Sequence, residues 1–285
     1  MRIIQFSDTH ISHRGGLGHD NAERLVGYLN QVARPDLVIN SGDVVILDPD
    51  DGADRAAALR LHQRIDAPLR VLPGNHDVGE GADDPWRGIK VSTERVRAFR
   101  AAWGSDRFVV HGEARCDADG WAFVGLNSEL CGSGLPEEDE QWAWLEETAA
   151  SLAGRPVIMF LHKPLRIDDG SLDAVTVTAA ARQRLLAAFA GTDLRVVANG
   201  HLHRYRCAAS DDGPAAVWAP SLSFAPPAEP ELKFGPGASG VVEYTIRGQR
   251  LEVRFVAVPG ITGAADIFEL PEVRRSMEAI DRKPA

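Results

Sequence analysis

Residues 2–10 read Arg-Ile-Ile-Gln-Phe-Ser-Asp-Thr-His: a short strand-like run, Arg2 to Phe6, gives way at once to Asp8 and His10. The arrangement recurs down the chain. Asp36 to Asn40 leads into Ser41-Gly42-Asp43, and Leu69 to Leu72 leads into Pro73-Gly74-Asn75-His76-Asp77. Pro156 to Leu161 ends on His162, and Leu194 to Ala198 runs into Asn199-Gly200-His201-Leu202-His203. A sixth run, Trp121 to Leu126, is followed by Asn127. Each is short and rich in Val, Ile, Leu or Phe, the pattern of a buried strand. Helical stretches lie between them. Asn21 to Ala33 sets Leu25, Val26, Leu29 and Val32 on one face, and Ala53 to Ile65, Thr93 to Trp103, Glu137 to Leu152 and Thr178 to Ala190 come after it. The fourth opens with Pro136 and acidic residues, where the helix dipole favours them.

From Tyr205 the texture changes to strands: Ala215 to Ala219, Val241 to Ile246 and Leu251 to Val256, the last two joined by a hairpin turn at Arg247-Gly248-Gln249-Arg250. The Pro/Gly-rich stretch Pro220 to Gly240 reads as an ordered loop or lid, with Trp218 and Phe224 covering a cleft or meeting a second subunit. Strand–helix alternation followed by strands predicts an α/β fold of layered sheets with helices outside. Residues 1–265 read as a single domain and 266–285 as a C-terminal tail or helix.

Apolar residues make up 44% and charged residues 25% of the 285 residues, which excludes disorder over the bulk of the chain. The net charge of −10 gives no overall attraction to nucleic acid or anionic membranes, so a phosphate substrate must be drawn by a local positive charge. Cys116, Cys131 and Cys207 are too few for a disulfide framework and form no CxxC pair. No secretory signal and no run long enough to span a bilayer is present, and we read a cytoplasmic protein.

The chemistry lies just beyond the strands. In α/β folds the C-terminal edge of the sheet is where ligands bind, and five loops converge there. Imidazole, carboxylate and amide oxygen without thiolate suit divalent Zn, Mn, Fe or Co. In Asp8-Thr9-His10 and His201-Leu202-His203, alternate residues of an extended segment would point the same way. Gly42, Gly74 and Gly200 stand where the chain must turn sharply or come close to a metal. Seven oxygen and nitrogen donors are too many for one tetrahedral ion; they fit two ions sharing a bridging carboxylate, about 3.5–4 Å apart. Singly, Asp-x-His is a chance pattern, Gly-Asn-His-Asp a turn and His162 a core histidine; together and in order, they are a site.

The series Asp8-x-His10, Gly42-Asp43, Gly74-Asn75-His76-Asp77, His162 and Gly200-His201-x-His203 resembles the calcineurin-like metallophosphoesterase superfamily, with all five blocks intact across residues 8 to 203. The resemblance implies two facing mixed β-sheets flanked by helices, with a dinuclear site at one end. It implies that Asp8, His10 and His203 hold one metal ion, that Asn75, His162 and His201 hold the other, and that Asp43 bridges them. His76 would face the phosphate as proton donor, and a metal-bridging hydroxide would attack phosphorus. Asp77 either orients His76 or is a solvated turn carboxylate.

Length, compact spacing and Asp77 after Gly-Asn-His are similar to class III cyclic nucleotide phosphodiesterases and the related glycerophosphodiesterases, whereas the larger protein phosphatases typically carry Glu there. The expected substrate is a small phosphodiester, with a cyclic nucleotide the narrower guess. A small-molecule phosphomonoesterase is the alternative, and a non-catalytic binding protein of the same fold is disfavoured because every ligand is present. No nucleic acid polymer or membrane is expected as a partner; a homodimer stays open. Loops 78–91 and 220–240 would decide the substrate. His13, Arg14, His19 and Lys163 are candidate rim contacts, against a default of solvent-exposed loop residues, and Asn127 reads first as a structural amide. His62 and His111 match no block.

Overall fold

Side chains of β1 (Arg2–Phe6) alternate between two cores, and that alternation sets the layers. Ile4 and Phe6 join a cluster with the first helices, while Ile3 joins a second cluster shared with another sheet. Gln5, buried between them, is satisfied: its amide donates to Ser41 Oγ (2.8 Å) and its carbonyl accepts from the Tyr244 hydroxyl (2.6 Å). The computed structural model describes residues 1–81, 88–167, 175–210, 213–225 and 238–283.

The first sheet places β2 (Leu37–Asn40) and β3 (Leu69–Val71) parallel to β1 on one side. Two late strands, β10 (Val241–Arg247) and β11 (Arg250–Val256), form an antiparallel hairpin on the other side, giving the order β11-β10-β1-β2-β3. The second sheet comprises β4 (Phe108–His111), β5 (Ala122–Gly125), β6 (Pro156–Phe160), β7 (Asp193–Asn199), β8 (Arg206–Ala208) and β9 (Ala215–Trp218), in the order β4-β5-β6-β7-β9-β8. It is parallel from β5 through β9 and antiparallel at both edges.

The sheets face each other through Ile3, Ile39, Val242 and Tyr244 against Phe123, Ile158, Phe160 and Val217. Three helices cover the outside of the first sheet: α1 (Leu17–Tyr28), α2 (Gly52–His62) and, beyond the short α3 (Asn75–Val78), α4 (Thr93–Trp103). The outside of the second sheet, with Ala122, Val124, Val157 and Met159, lies under α5 (Pro136–Ser151) and α6 (Ala179–Ala188). Strands covered on both faces have no need of polar alternation, which is why they read as continuous apolar runs. The result is the expected pair of facing mixed sheets flanked by helices.

The structure departs from the sequence pattern in several places. Helix α1 starts at Leu17 rather than Asn21. It passes into a wide turn at Leu29–Ala33 that shifts the register, so Val32 is 67% exposed and Ala33 takes the buried position. The edge strands β4 and β8 are short and carry no clear sequence pattern. Trp218 lies on β9, as the run Ala215 to Ala219 predicts and not in the loop after it, with its ring under the Arg206 guanidinium (4.7 Å). The last residues form a helix, α7 (Pro271–Asp281), docked through Val273 on Ile46 and Leu47. Of loops 78–91 and 220–240, residues 82–87 and 226–237 lie outside the described residues. Among the described residues no helix is long and apolar enough to cross a membrane.

Candidate active site

All five ligand-bearing loops leave the C-terminal ends of β1, β2, β3, β6 and β7. Backbone bonds zip the first two together: the Asp8 amide donates to the Gly42 carbonyl (2.9 Å) and the His10 amide to the Asp43 carbonyl (3.1 Å). The chain bends sharply here. Asp8, His10, Asp43, His201 and His203 all take positive φ, between 48° and 68°, so each Asp-x-His or His-x-His pair converges by left-handed turns and not, as alternation suggested, from an extended segment. That is a strained backbone for non-glycine residues, held by its surroundings. A Cβ on Gly74 would overlap Asp43 Oδ1, and one on Gly200 would overlap Ser7 Oγ.

The structure brings together six of the seven predicted ligands as two groups. The donor atoms of Asp8, His10, Asp43 and His203 lie within 4.8 Å of one another, as do those of Asp43, His162 and His201; Asp43 belongs to both. His203 Nε2 lies 3.1 Å from Asp8 Oδ1 and 3.3 Å from His10 Nε2, and His162 Nε2 lies 3.3 Å from Asp43 Oδ2 and 3.2 Å from His201 Nδ1. The seventh, Asn75, opens α3 beside Gly74. Its Oδ1 is buried with no hydrogen-bond partner among the described residues. Such an oxygen costs about 1–3 kcal/mol, and a cation in the second group would satisfy it. The donor set therefore fits two divalent ions.

Backbone carbonyls aim the rings. His162 Nδ1 donates to the Ser41 carbonyl (2.9 Å) and His10 Nδ1 to the Ile46 carbonyl (3.2 Å), which turns each Nε2 toward the centre. Ser221 and Ser223 donate their hydroxyls to the Asp8 carbonyl (3.0 and 3.2 Å) and brace that loop from behind. Burial opposes ionisation of Asp8, but His203 beside it and His162 together outweigh burial and hold the carboxyl at about 2. Asp43 is likewise held well below the usual range, by His162 and His76 against its burial. His162 is the converse: burial would neutralise it, yet Asp43 raises it to about 10. Burial, then His76, lowers His10 to about 3, and burial, then His162, holds His201 well below the usual histidine range.

His76 stands at the opening, its side chain 18% exposed. Its amide donates to Asp43 Oδ1 (2.9 Å), its Nδ1 donates to the Ile46 carbonyl (2.7 Å), and its Nε2 is 3.7 Å from Asp43 Oδ2. Asp77 serves the backbone and not this ring. Its buried carboxylate accepts the amides of Val44 and Val45 (3.1 Å) and of Gly74 (2.8 Å), so it is no solvated turn residue either. Burial, then Asp43, raises it to about 6.

Of the remaining candidates, Lys163, His13, His62 and Asn127 have structural partners, whereas His19 Nδ1 is buried with none among the described residues. Lys163 is buried and paired with Glu129 (3.1 Å), which removes it as a phosphate contact. His13 donates to the buried Asp54 (2.7 Å) at the start of α2 and forms with it and Asp51 a further group of metal-competent side chains. His62 is buried against Asn40 (2.9 Å), and Asn127 accepts the Glu129 amide (3.0 Å) as a structural amide. Phe224 packs edge-on to the His203 ring, centroids 5.2 Å apart. The Ile46 carbonyl and the two serines escape a reading of the sequence, because a main-chain carbonyl leaves no mark there and serines are common in loops.

Comparison with known proteins agrees with this geometry. The chain is 27% identical over 218 residues to a probable glycerophosphodiester phosphodiesterase of Arcobacter nitrofigilis, covering 72% of each chain. It is 30% identical over 214 residues to the 3',5'-cyclic adenosine monophosphate phosphodiesterase of Pseudomonas aeruginosa, covering 71% of this chain and 69% of that one. Its fold matches a dimetal phosphatase from Danio rerio with a TM-score of 0.58 at 12% identity, over 90% of this chain and 95% of that one. The family profile for calcineurin-like phosphoesterases matches residues 1–205. With that match, and with the two donor groups sharing Asp43, the chain belongs to the calcineurin-like phosphoesterase family.

Proposed function

We propose that this protein is a dinuclear-metal phosphodiesterase acting on a small phosphodiester. The observation that carries the reading is the shared carboxylate of Asp43, flanked by two donor groups and by an Asn75 oxygen with no other partner among the described residues. Asp8, His10 and His203 would hold one divalent ion, Asn75, His162 and His201 the other, and Asp43 both; Mn, Fe, Zn and Co all suit these donors. Bound there, the ions supply Lewis acidity and an activated water.

The chain's own residues do the rest. Asp43 takes the His76 amide as well as facing the histidines, which ties the proton donor to the ligand frame. His76, with Nδ1 held on the Ile46 carbonyl, would give a proton from Nε2 to the leaving oxygen as the ester bond breaks. His10 and His201 are neutral, as ligand imidazoles must be. The two phosphodiesterase relatives support a diester, and the likeness to the Pseudomonas aeruginosa enzyme makes a cyclic nucleotide the narrower proposal. The test compares kcat/KM of manganese-loaded protein on bis-p-nitrophenyl phosphate and on p-nitrophenyl phosphate, with a chelated control. Preference for the diester is the expected result; preference for the monoester would replace this substrate class with phosphomonoesters and leave the metal centre standing.

A further inference from the structure

The loop after Asp43 is gripped from two sides. On its inner side the amides of Val44 and Val45 are held by Asp77, and the Ile46 carbonyl accepts from both His10 Nδ1 (3.2 Å) and His76 Nδ1 (2.7 Å). A carbonyl has two lone pairs, so one group can orient both rings. Val44 and Val45 still belong to the core of the first sheet, but the next two residues of the loop leave it. Ile46 and Leu47 are buried in a separate small cluster with Val273 of α7, extended by Ile267, Leu270, Met277 and Ile280. Lys283, just past α7, donates to Asp48 (2.7 Å). At the other end of α7, the Glu272 carboxylate accepts the amide of Leu17 (2.7 Å), the first residue of α1, at the end of the loop that carries His10. One C-terminal helix thus pins both segments that leave the ends of β1 and β2.

We propose that α7 is a positioning element for the reaction and that Val273 and Glu272 are its positioning residues. By fixing Ile46, Val273 holds the carbonyl that aims the His10 ring as a ligand and the His76 ring as a proton donor. By fixing Leu17, Glu272 holds the loop on which His10 sits. The proposal rests on the phosphodiesterase reading above. It requires no contact between α7 and substrate: a displacement of one carbonyl turns two rings, and about 1 Å at a reacting group can cost about a hundredfold in rate. Because the Ile46–Leu47–Val273 cluster is separate from the main cores, loosening it leaves the sheets intact.

The test uses the full chain with Val273→Ala, Val273→Ile and Glu272→Ala, each with a melting curve and bound manganese measured. Substrates are methyl aryl phosphodiesters of rising leaving-group basicity. For Val273→Ala, assayed at saturating manganese, we expect KM close to wild type, with kcat about tenfold lower on the most basic leaving group and nearly unchanged on p-nitrophenolate, which needs little protonation. Val273→Ile should restore the wild-type slope. In the NMR spectrum of the metal-free protein, the hydrogen-bonded Nδ1 protons of His10 and His76 should broaden in Val273→Ala. An equal loss of kcat across the series, or unchanged slope and unchanged Nδ1 protons, would overturn the proposal. Should Val273→Ala not fold, Glu272→Ala is read by the His10 Nδ1 proton and by manganese affinity, both unchanged if Glu272 does not position that loop. A wild-type protein that hydrolyses no ester would refute the phosphodiesterase reading instead, and the NMR arm would still decide whether α7 aims the rings.

Discussion

Asp43, His76 and Asp77 lie close together in space and do three different things. Asp43 lies in both donor groups, so Asp43→Ala should remove metal and activity together, as metal analysis and turnover on the same sample would show. His76 is in neither group. His76→Ala should keep its metal and lose kcat by about 10²–10⁴, the usual worth of a proton donor; a variant that lost its metal would show that His76 is a ligand. Asp77 holds three main-chain amides, and Asp77→Ala leaves them buried without an acceptor. The expected cost is on the order of 3 kcal/mol, measured by urea unfolding, with Asp77→Asn milder because it keeps one acceptor oxygen. The sequence named all three residues, since motif and order suffice for that. It left open whether Asp77 serves the ring or the turn, because both lie one residue away along the chain and only the folded loop brings Val44 and Val45 to its carboxylate.

At the scale of elements, what was legible is what is local. Strands buried on both faces announce themselves as apolar runs, and the ligands sit just beyond them, so the edge of the site could be read before any coordinate. The start of α1 could not, because its first amide is capped by Glu272, 255 residues away, and no cap residue precedes it. The left-handed turns at five candidate ligand positions were equally hidden: Asp and His visit positive φ more than most residues but still seldom, and the bonds that hold them come from other loops. Glycines test this difference between local and distant causes. At Gly200 the distant packing decides, since a Cβ would overlap Ser7 Oγ and lie 2.7 Å from Asp8 Oδ2. Gly200→Ala should cost about 1–3 kcal/mol and weaken metal binding. At Gly27, within α1, nothing lies within 4 Å, and Gly27→Ala should stabilise by roughly 0.5–1 kcal/mol. Thermal melts of the two variants should move in opposite directions; a shift of the same sign would mean that the space around one of them differs from that in the structure.

For the molecule as a whole, the question is how a chain with net charge −10 draws an anionic ester, and the answer lies in the coupling of protons to metal. Asp8 and Asp43 are already ionised at neutral pH, and His10 and His201 are already neutral. His162 stands on the wrong side, protonated up to about 10 by Asp43. A divalent ion must displace that proton, so metal binding releases it and tightens as pH rises. In chelator the same pair gives the opposite sign. His162 is raised above its unfolded value of about 6.5, so its stabilising contribution is complete below that pH and is lost as pH climbs toward 10. The melting temperature in chelator should therefore fall between pH 6.5 and 9, while the increase on adding manganese grows over the same interval. His162→Gln, which has no proton to release, should flatten both trends. A manganese-induced increase of equal size at pH 6.5 and 9 would mean that His162 is neutral in the folded protein and that the ions enter without displacing its proton.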